Sequence, residues 1–219
     1  MTVPKKIKYA AIFLLPIALV TGYIAIQEVG IEEPDREWLD NVEDQEPEIA
    51  TLAGGCFWCT EAIYLQEEGV ERAISGYAGG SEETANYQQV ISGTTEHREA
   101  VRLKYYPEII SYEEILDLYW RSIDPTDDGG QFVDRGSHYT TAIYYHNEEQ
   151  EEIARETKQN VSDRIEEEIV TDIEEYDTFF RAEDRHQNYS IRNSARYEAY
   201  KRGSGRSSTL DQYWEDHPF

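Results

Sequence analysis

The chain has 219 residues, 39% of them hydrophobic, which is enough for one ordinary domain with a genuine core plus a short appendage. Its 45 acidic and 20 basic residues give a formal net charge of -25 at pH 7, which repels phosphate and excludes nucleic acid as a partner. The same charge suits either a self-repelling soluble surface or a high-salt environment in which screening removes the repulsion.

At the N-terminus, Lys5, Lys6 and Lys8 precede an uncharged apolar run from Tyr9 to Ile26, close to the ~20 residues that span a bilayer. Basic residues before the run and acidic residues after it orient the N-terminus to the cytoplasm and the remainder outside. The run is long for the apolar part of a cleaved signal and no A-x-A site follows. Residues 1–27 are therefore expected to form a transmembrane signal anchor, with secretion after cleavage as the alternative. Residues 28–48, "EVGIEEPDREWLDNVEDQEPE", have the composition of an acidic linker, in which Trp38 and Leu39 could dock on the domain that follows.

That domain is expected over residues 49–200. "IATLAGG" (49–55) reads as a buried strand ending in glycines, and Phe57 to Glu67 reads as a helix. "EAVRLKYY" (99–106) alternates like a strand. "SYEEILDLYWRSI" (111–123) has a helical period behind a Ser111 cap, with Glu114 three residues on. A strand over 139–145, a charged helix from Asn147 to Ile165, a strand near 169–174 and a helical turn around "AEDRHQNY" follow. Strands and helices mix without regular βαβ alternation, which predicts an α+β class. The tail, 201–219, gives no functional signal.

The only two cysteines, Cys56 and Cys59, lie in "GGCFWCTEAIY" at a strand-to-helix junction. A helix N-terminus favours a thiolate, so Cys56 is expected to have a lowered pKa. Cys59 lies one turn on and could resolve an oxidised Cys56 into a disulfide. A zinc site would have to recruit two further ligands with no second cysteine pair available. Inert buried thiols and a thioredoxin-like thiol-disulfide oxidoreductase are the other readings that the spacing allows.

The surroundings are more specific. "GCFWCTE", "SGYAGG" (75–80), "NYQQVISGTTEHREAV" (86–101), "DPTDDGGQFVDRGSHYTTAIYY" (124–145) and "FFRAEDRHQNY" (179–189) together resemble, in order, the A-type methionine sulfoxide reductases. The resemblance implies a ferredoxin-like two-layer sandwich with a mixed sheet, flanking helices and a long coil tail. It implies reduction of methionine-S-sulfoxide, free or in proteins. Cys56 aligns with the nucleophile, Cys59 with the resolving cysteine of the GCFWC subset, and Glu99 with the acid that protonates the sulfoxide oxygen. Tyr87 and Tyr139 align with phenols that bind that oxygen. Phe57 and Trp58 align with the wall that receives the S-methyl group, and Asp134 with an acid lining the same site. Glu183 and His186 are candidates to order the site from behind it.

No metal or organic cofactor is implied. A thioredoxin-like donor or a membrane electron relay would supply reducing equivalents to a monomer. Glu96 stands where the family usually has Gly, and His138 where it usually has Gln, so contacts near these positions are expected to differ.

Overall fold

The computed structural model describes residues 38, 39, 42 and 45–219. The expected anchor (1–27) and most of the expected linker lie outside the described residues. Among the described residues no helix is long and apolar enough to cross a membrane. Trp38, midway along the acidic stretch, is buried and meets Tyr106 edge-on at 5.8 Å, so this part of the linker does dock on the domain.

The scaffold is a six-stranded sheet of β1 (Glu48–Gly54), β2 (Val70–Ala78), β3 (Arg98–Tyr105), β6 (Thr141–Tyr145), β7 (Asp172–Glu175) and β8 (Phe179–Arg181). Their spatial order is β7-β6-β1-β3-β2-β8. Only β6 and β7 run parallel; every other neighbouring pair is antiparallel. A small hairpin, β4 (Gly130–Gln131) with β5 (Asp134–Arg135), stands apart. Among the described residues seven α-helices complete the α+β fold: α1 (Phe57–Tyr64), α2 (Tyr87–Val90), α3 (Tyr112–Trp120), α4 (Glu148–Arg164), α5 (Tyr189–Arg192), α6 (Ser194–Gly203) and α7 (Arg206–Leu210).

The alternation along β3 builds the core. Val101, Leu103 and Tyr105 are fully buried against Ile63 and Tyr64 of α1 and Ile115, Leu116 and Tyr119 of α3. Each such aliphatic side chain taken out of water contributes about 1.5–3 kcal/mol. Glu99 shares their phase, which places a carboxyl group on the apolar face at the end of the strand. The opposite face is thinner, with Ala53, Ala78, Ala100 and Ala142 packed around Tyr144, Tyr176 and Phe179. The expected Ser111 cap on α3 is present, with the Ser111 hydroxyl oxygen accepting from the Glu114 N–H and the Glu114 carboxylate accepting from the Ser111 N–H.

Two expectations are corrected. The segment beyond residue 200 is not a coil: α6 continues to Gly203, α7 follows, and Leu210 and Trp214 are buried in the main core. Gly205, at φ +73°, turns the chain between the two helices, and the i, i+4 pair Leu210 and Trp214 supplies the buried contacts. The first helix ends at Tyr64 rather than Glu67. Strand β2 escapes a reading by alternation because a register shift between Val70 and Arg72 breaks its period.

The junction before α1 is sterically constrained. The Tyr119 hydroxyl donates to the Ala53 carbonyl at 2.8 Å, fixing the end of β1 against α3. Gly55 then reverses the chain at φ +82°, and a Cβ there would lie 2.6 Å from Gln131 Cβ. Gly55→Ala is expected to cost at least the ~1–2 kcal/mol of a left-handed non-glycine residue, read as a lowered urea midpoint with unchanged slope. An unchanged midpoint would show that the junction is not constrained in this way.

Candidate active site

Cys56 forms the N-cap of α1, and Phe57, Trp58 and Cys59 make its first turn. The sheet brings Glu99 beneath this turn. The Phe57 N–H donates to Glu99 Oε2 at 3.0 Å across 42 positions of sequence. Glu99 is 2% exposed, and burial pushes its carboxyl up to about 8, against the opposing effect of the Phe57 hydrogen bond. It is therefore predominantly a neutral acid at pH 7.

A recess of about 60 Å³ opens above these groups, lined by Cys56, Phe57, Trp58, Tyr87, Glu99, Asp134, Tyr139 and Tyr200. Pockets for drug-sized ligands are roughly 300–1,000 Å³, so this one admits only the end of a side chain. Every residue expected in catalysis or substrate contact lines it except Cys59, which lies behind Cys56 and is fully buried. A larger concavity, about 470 Å³ on the outer sheet face beside Arg72, Arg102 and Lys104, lies among none of these groups.

The expected lowering of the Cys56 pKa is overturned. The thiol is pushed up, first by its hydrogen bond to Cys59, then by burial and by the charges of Glu99 and Asp134. Cys59 is brought down to about 6, first by the same hydrogen bond and then, against burial, by Arg206 and the Tyr197 hydroxyl. The physical reason is the buried, coupled pair of sulfurs beside two acidic groups, and the Cys56 side chain accepts no capping hydrogen bond that would offset it. The two thiols are coupled, and the directions of both shifts place the first charge of the pair on Cys59 rather than on Cys56.

The aromatic wall is braced from behind. Trp58 Nε1–H donates to His186 Nδ1 at 3.2 Å, and because indole can only donate, the His186 proton sits on Nε2. Burial lowers the His186 pKa, which keeps it neutral. Its ring lies 4.6 Å from Tyr87 and 5.1 Å from Phe57. Glu183 accepts from the Tyr77 hydroxyl at 2.8 Å and from the Tyr87 N–H at 3.3 Å, so it fixes the start of α2. Both residues hold lining groups in place and do not line the recess themselves. Asp134 accepts a hydrogen bond from the Tyr200 hydroxyl, and burial raises its pKa. His138 is buried beneath the loop that carries Tyr139, whereas Glu96 is exposed and outside the recess.

Four aromatic or charged contributors were not expected. Tyr189 stacks on Trp58 with ring centroids 3.7 Å apart, and its N–H donates to the buried Glu61 carboxyl at 3.3 Å. Tyr197 and Tyr200 lie one turn apart on α6 and reach Cys59 and Asp134 respectively. An i, i+3 aromatic pair in "RYEAYK" is the signal that would have placed this helix face against the site. Arg206 follows on α7.

Glu61, raised by burial to about 7, and Glu99, at about 8, both hold protons in the folded state that an unfolded carboxylate, near 4.3, has lost. The folded state binds more protons across this window, so their contribution to stability is full at low pH and declines as pH rises toward about 8. Thermal melts of Glu99→Gln are expected to fall less between pH 5 and pH 9 than those of the unaltered protein. Parallel curves would show that Glu99 does not titrate there.

Comparison with known proteins shows the family. The family model for peptide methionine sulfoxide reductase matches residues 48–218. The chain is 45% identical over 172 residues to a peptide methionine sulfoxide reductase MsrA of Bacillus subtilis, covering 78% of this chain and 97% of that one. It is also 45% identical over 170 residues to one from Listeria monocytogenes, covering 77% and 96%. Among solved structures, Mxr1 from Saccharomyces cerevisiae in reduced form superposes with a TM-score of 0.65 at 29% identity, covering 68% of this chain and 87% of that one. Methionine sulfoxide reductase A of Corynebacterium diphtheriae gives 0.65 at 28% identity, covering 68% and 76%.

Proposed function

The chain belongs to the peptide methionine sulfoxide reductase family and is a peptide-methionine (S)-S-oxide reductase, and from that premise we propose how its own residues carry the reaction. The observation that carries the proposal is the meeting of Cys56 with a neutral, buried Glu99 in a recess sized for one side-chain end.

The methyl group of the sulfoxide packs on Phe57 and Trp58, and its oxygen faces Glu99, Tyr87 and Tyr139. Cys56 Sγ attacks the sulfoxide sulfur while its proton passes along the existing hydrogen bond to Cys59. Glu99 delivers its proton to the oxygen, which is otherwise a poor leaving group, and the two phenols stabilise the developing charge. The hydroxyl passes from the substrate sulfur to Cys56 Sγ: the old S–O bond and the new S–S bond both break, a Cys56 S–O bond forms, methionine leaves with the electron pair, and Cys56 is left as a sulfenic acid. The sulfoxide sulfur gains two electrons and Cys56 loses two.

Cys59 then attacks the sulfenic sulfur. A Cys56–Cys59 bond forms, and the hydroxyl leaves as water with the Cys59 proton. A dithiol donor of the thioredoxin type reopens the disulfide and becomes oxidised in turn. Cys59, whose pKa is lowered, then returns a proton to Glu99, whose pKa is raised by burial, and the starting state is regained.

The strand order β6-β1-β3-β2, with helices over one face, supports describing the core as ferredoxin-like, with β7 and β8 added at its edges. Lys5, Lys6 and Lys8 before the uncharged run from Tyr9 to Ile26 support a signal anchor that holds the domain outside the cytoplasm. Its substrates there would be oxidised envelope proteins.

Reduced protein mixed with methionine-S-sulfoxide, without added reductant, is expected to release about one methionine per chain and lose both thiols. The R epimer should release none. Cys59→Ser should still release methionine but lose a single thiol and fail to turn over with a dithiol donor. Methionine release by Cys56→Ser, or equal release from both epimers, would contradict the assignment.

A further inference from the structure

Trp58, which lines the recess beside Phe57, belongs to a closed circuit of contacts. Its indole Nε1–H is held by His186, and its face lies nearly parallel to the Tyr189 ring, with centroids 3.7 Å apart and planes inclined by 6°. Both partners sit on residues 186–189, a segment after β8 that is fastened at two further points. The Gln187 side chain accepts from the Ser75 N–H at 3.1 Å and donates to the Ser75 carbonyl at 2.9 Å, which ties the segment to β2. The other fastening returns to α1: Glu61 Oε2 accepts from the Tyr189 N–H at 3.3 Å across 128 positions of sequence.

Glu61 lies three residues after Trp58 on α1, so both side chains reach this segment from one side of the helix. Glu61 is fully buried. Taking a carboxyl group out of water is costly, and an apolar side chain would fill the same depth without that cost. What the carboxyl supplies, and an apolar group cannot, is an acceptor for the N–H that begins α5. The need for one is local. Asn188, immediately before, has left-handed backbone at φ +53°, which a residue with a side chain adopts only when its surroundings hold it there, and that turn decides where the Tyr189 ring falls.

We propose, resting on the reductase reading above, that Glu61 is a positioning residue that sets the depth of the methyl-binding wall by fixing Tyr189 behind Trp58. Trp58 is only partly buried, and its indole faces the recess. With the Tyr189 ring free to withdraw, the indole gains room to tilt and the recess admits a longer S-alkyl group. Discrimination between S-methyl and S-ethyl sulfoxides therefore reads the tether directly, whereas a general loss of stability lowers the rates of both substrates alike.

The test compares second-order rate constants for single-turnover reduction of the S epimers of methionine sulfoxide and ethionine sulfoxide. One methylene in an apolar pocket is worth roughly 10–200-fold, so the unaltered protein should prefer the methyl substrate by at least about tenfold, and Glu61→Met should cut that preference by at least about threefold. Glu61→Gln, which keeps an acceptor oxygen, should restore most of it. Tyr189→Leu should cut it to a similar extent, and the double variant no further, because both changes remove one contact. No methyl preference in the unaltered protein, a preference unchanged by Glu61→Met in a protein that melts normally, or losses that multiply in the double variant would each overturn the inference. Should Glu61→Met not fold, Glu61→Asp decides, since it draws the carboxyl back by one methylene: a lowered preference supports the tether and an unchanged one overturns it. Methionine release by the unaltered protein is scored separately, so loss of the reductase reading is distinguished from loss of this one.

Discussion

The hydrogen bond from the Phe57 N–H to Glu99 is the constraint on which the site depends. It joins the first turn of α1 to β3 and fixes a carboxyl group on the apolar side of the sheet. Burial keeps that group protonated, which is the form a sulfoxide oxygen requires. In the same turn, the contact with Cys59 and burial push the Cys56 thiol up, while Cys59 is brought down. The first turn of α1 thereby brings the acid and both sulfurs together.

Rigidity follows from the rings around this contact. Trp58 is held by a hydrogen bond to His186 and by the stacked Tyr189, and Tyr87 is held by Glu183 and by the His186 ring. A recess of about 60 Å³ bounded by fixed aromatic groups accepts a methyl sulfoxide end and little else. Orientation of this kind lowers a reaction barrier without new chemistry, because the reacting atoms meet already aligned. In the proposed cycle Cys59 and Glu99 serve as acceptor and donor, so no external base is called for.

Much of this was legible in the chain. The alternation of "EAVRLKYY" put Glu99 in phase with Val101 and Leu103, and the glycine pair before Cys56 marked the junction. Ordered motifs identified each group that lines the recess except Tyr200. What escaped was non-local. The rule that a helix start lowers a thiol pKa is a statement about neighbours, and it failed because the fold buries Cys56 against Cys59 and brings Glu99 and Asp134 near it from distant parts of the chain. The bulged β2 hid its period. The tail was silent because Gly and Ser around Gly205 resemble a coil, whereas the helices on either side bury Tyr197, Arg206 and Leu210.

The most direct test of this account is the pH dependence of methionine release in a single turnover from methionine-S-sulfoxide, for the unaltered protein and for Glu99→Gln. Release should decline as pH rises through about 8, where Glu99 loses its proton. Glu99→Gln should be slower by about 10²–10⁴-fold, the range for loss of a general acid, and should lose that alkaline limb. A Glu99→Gln protein that releases methionine at the unaltered rate, or that keeps the same limb, would contradict the claim that a buried neutral carboxyl group drives the chemistry.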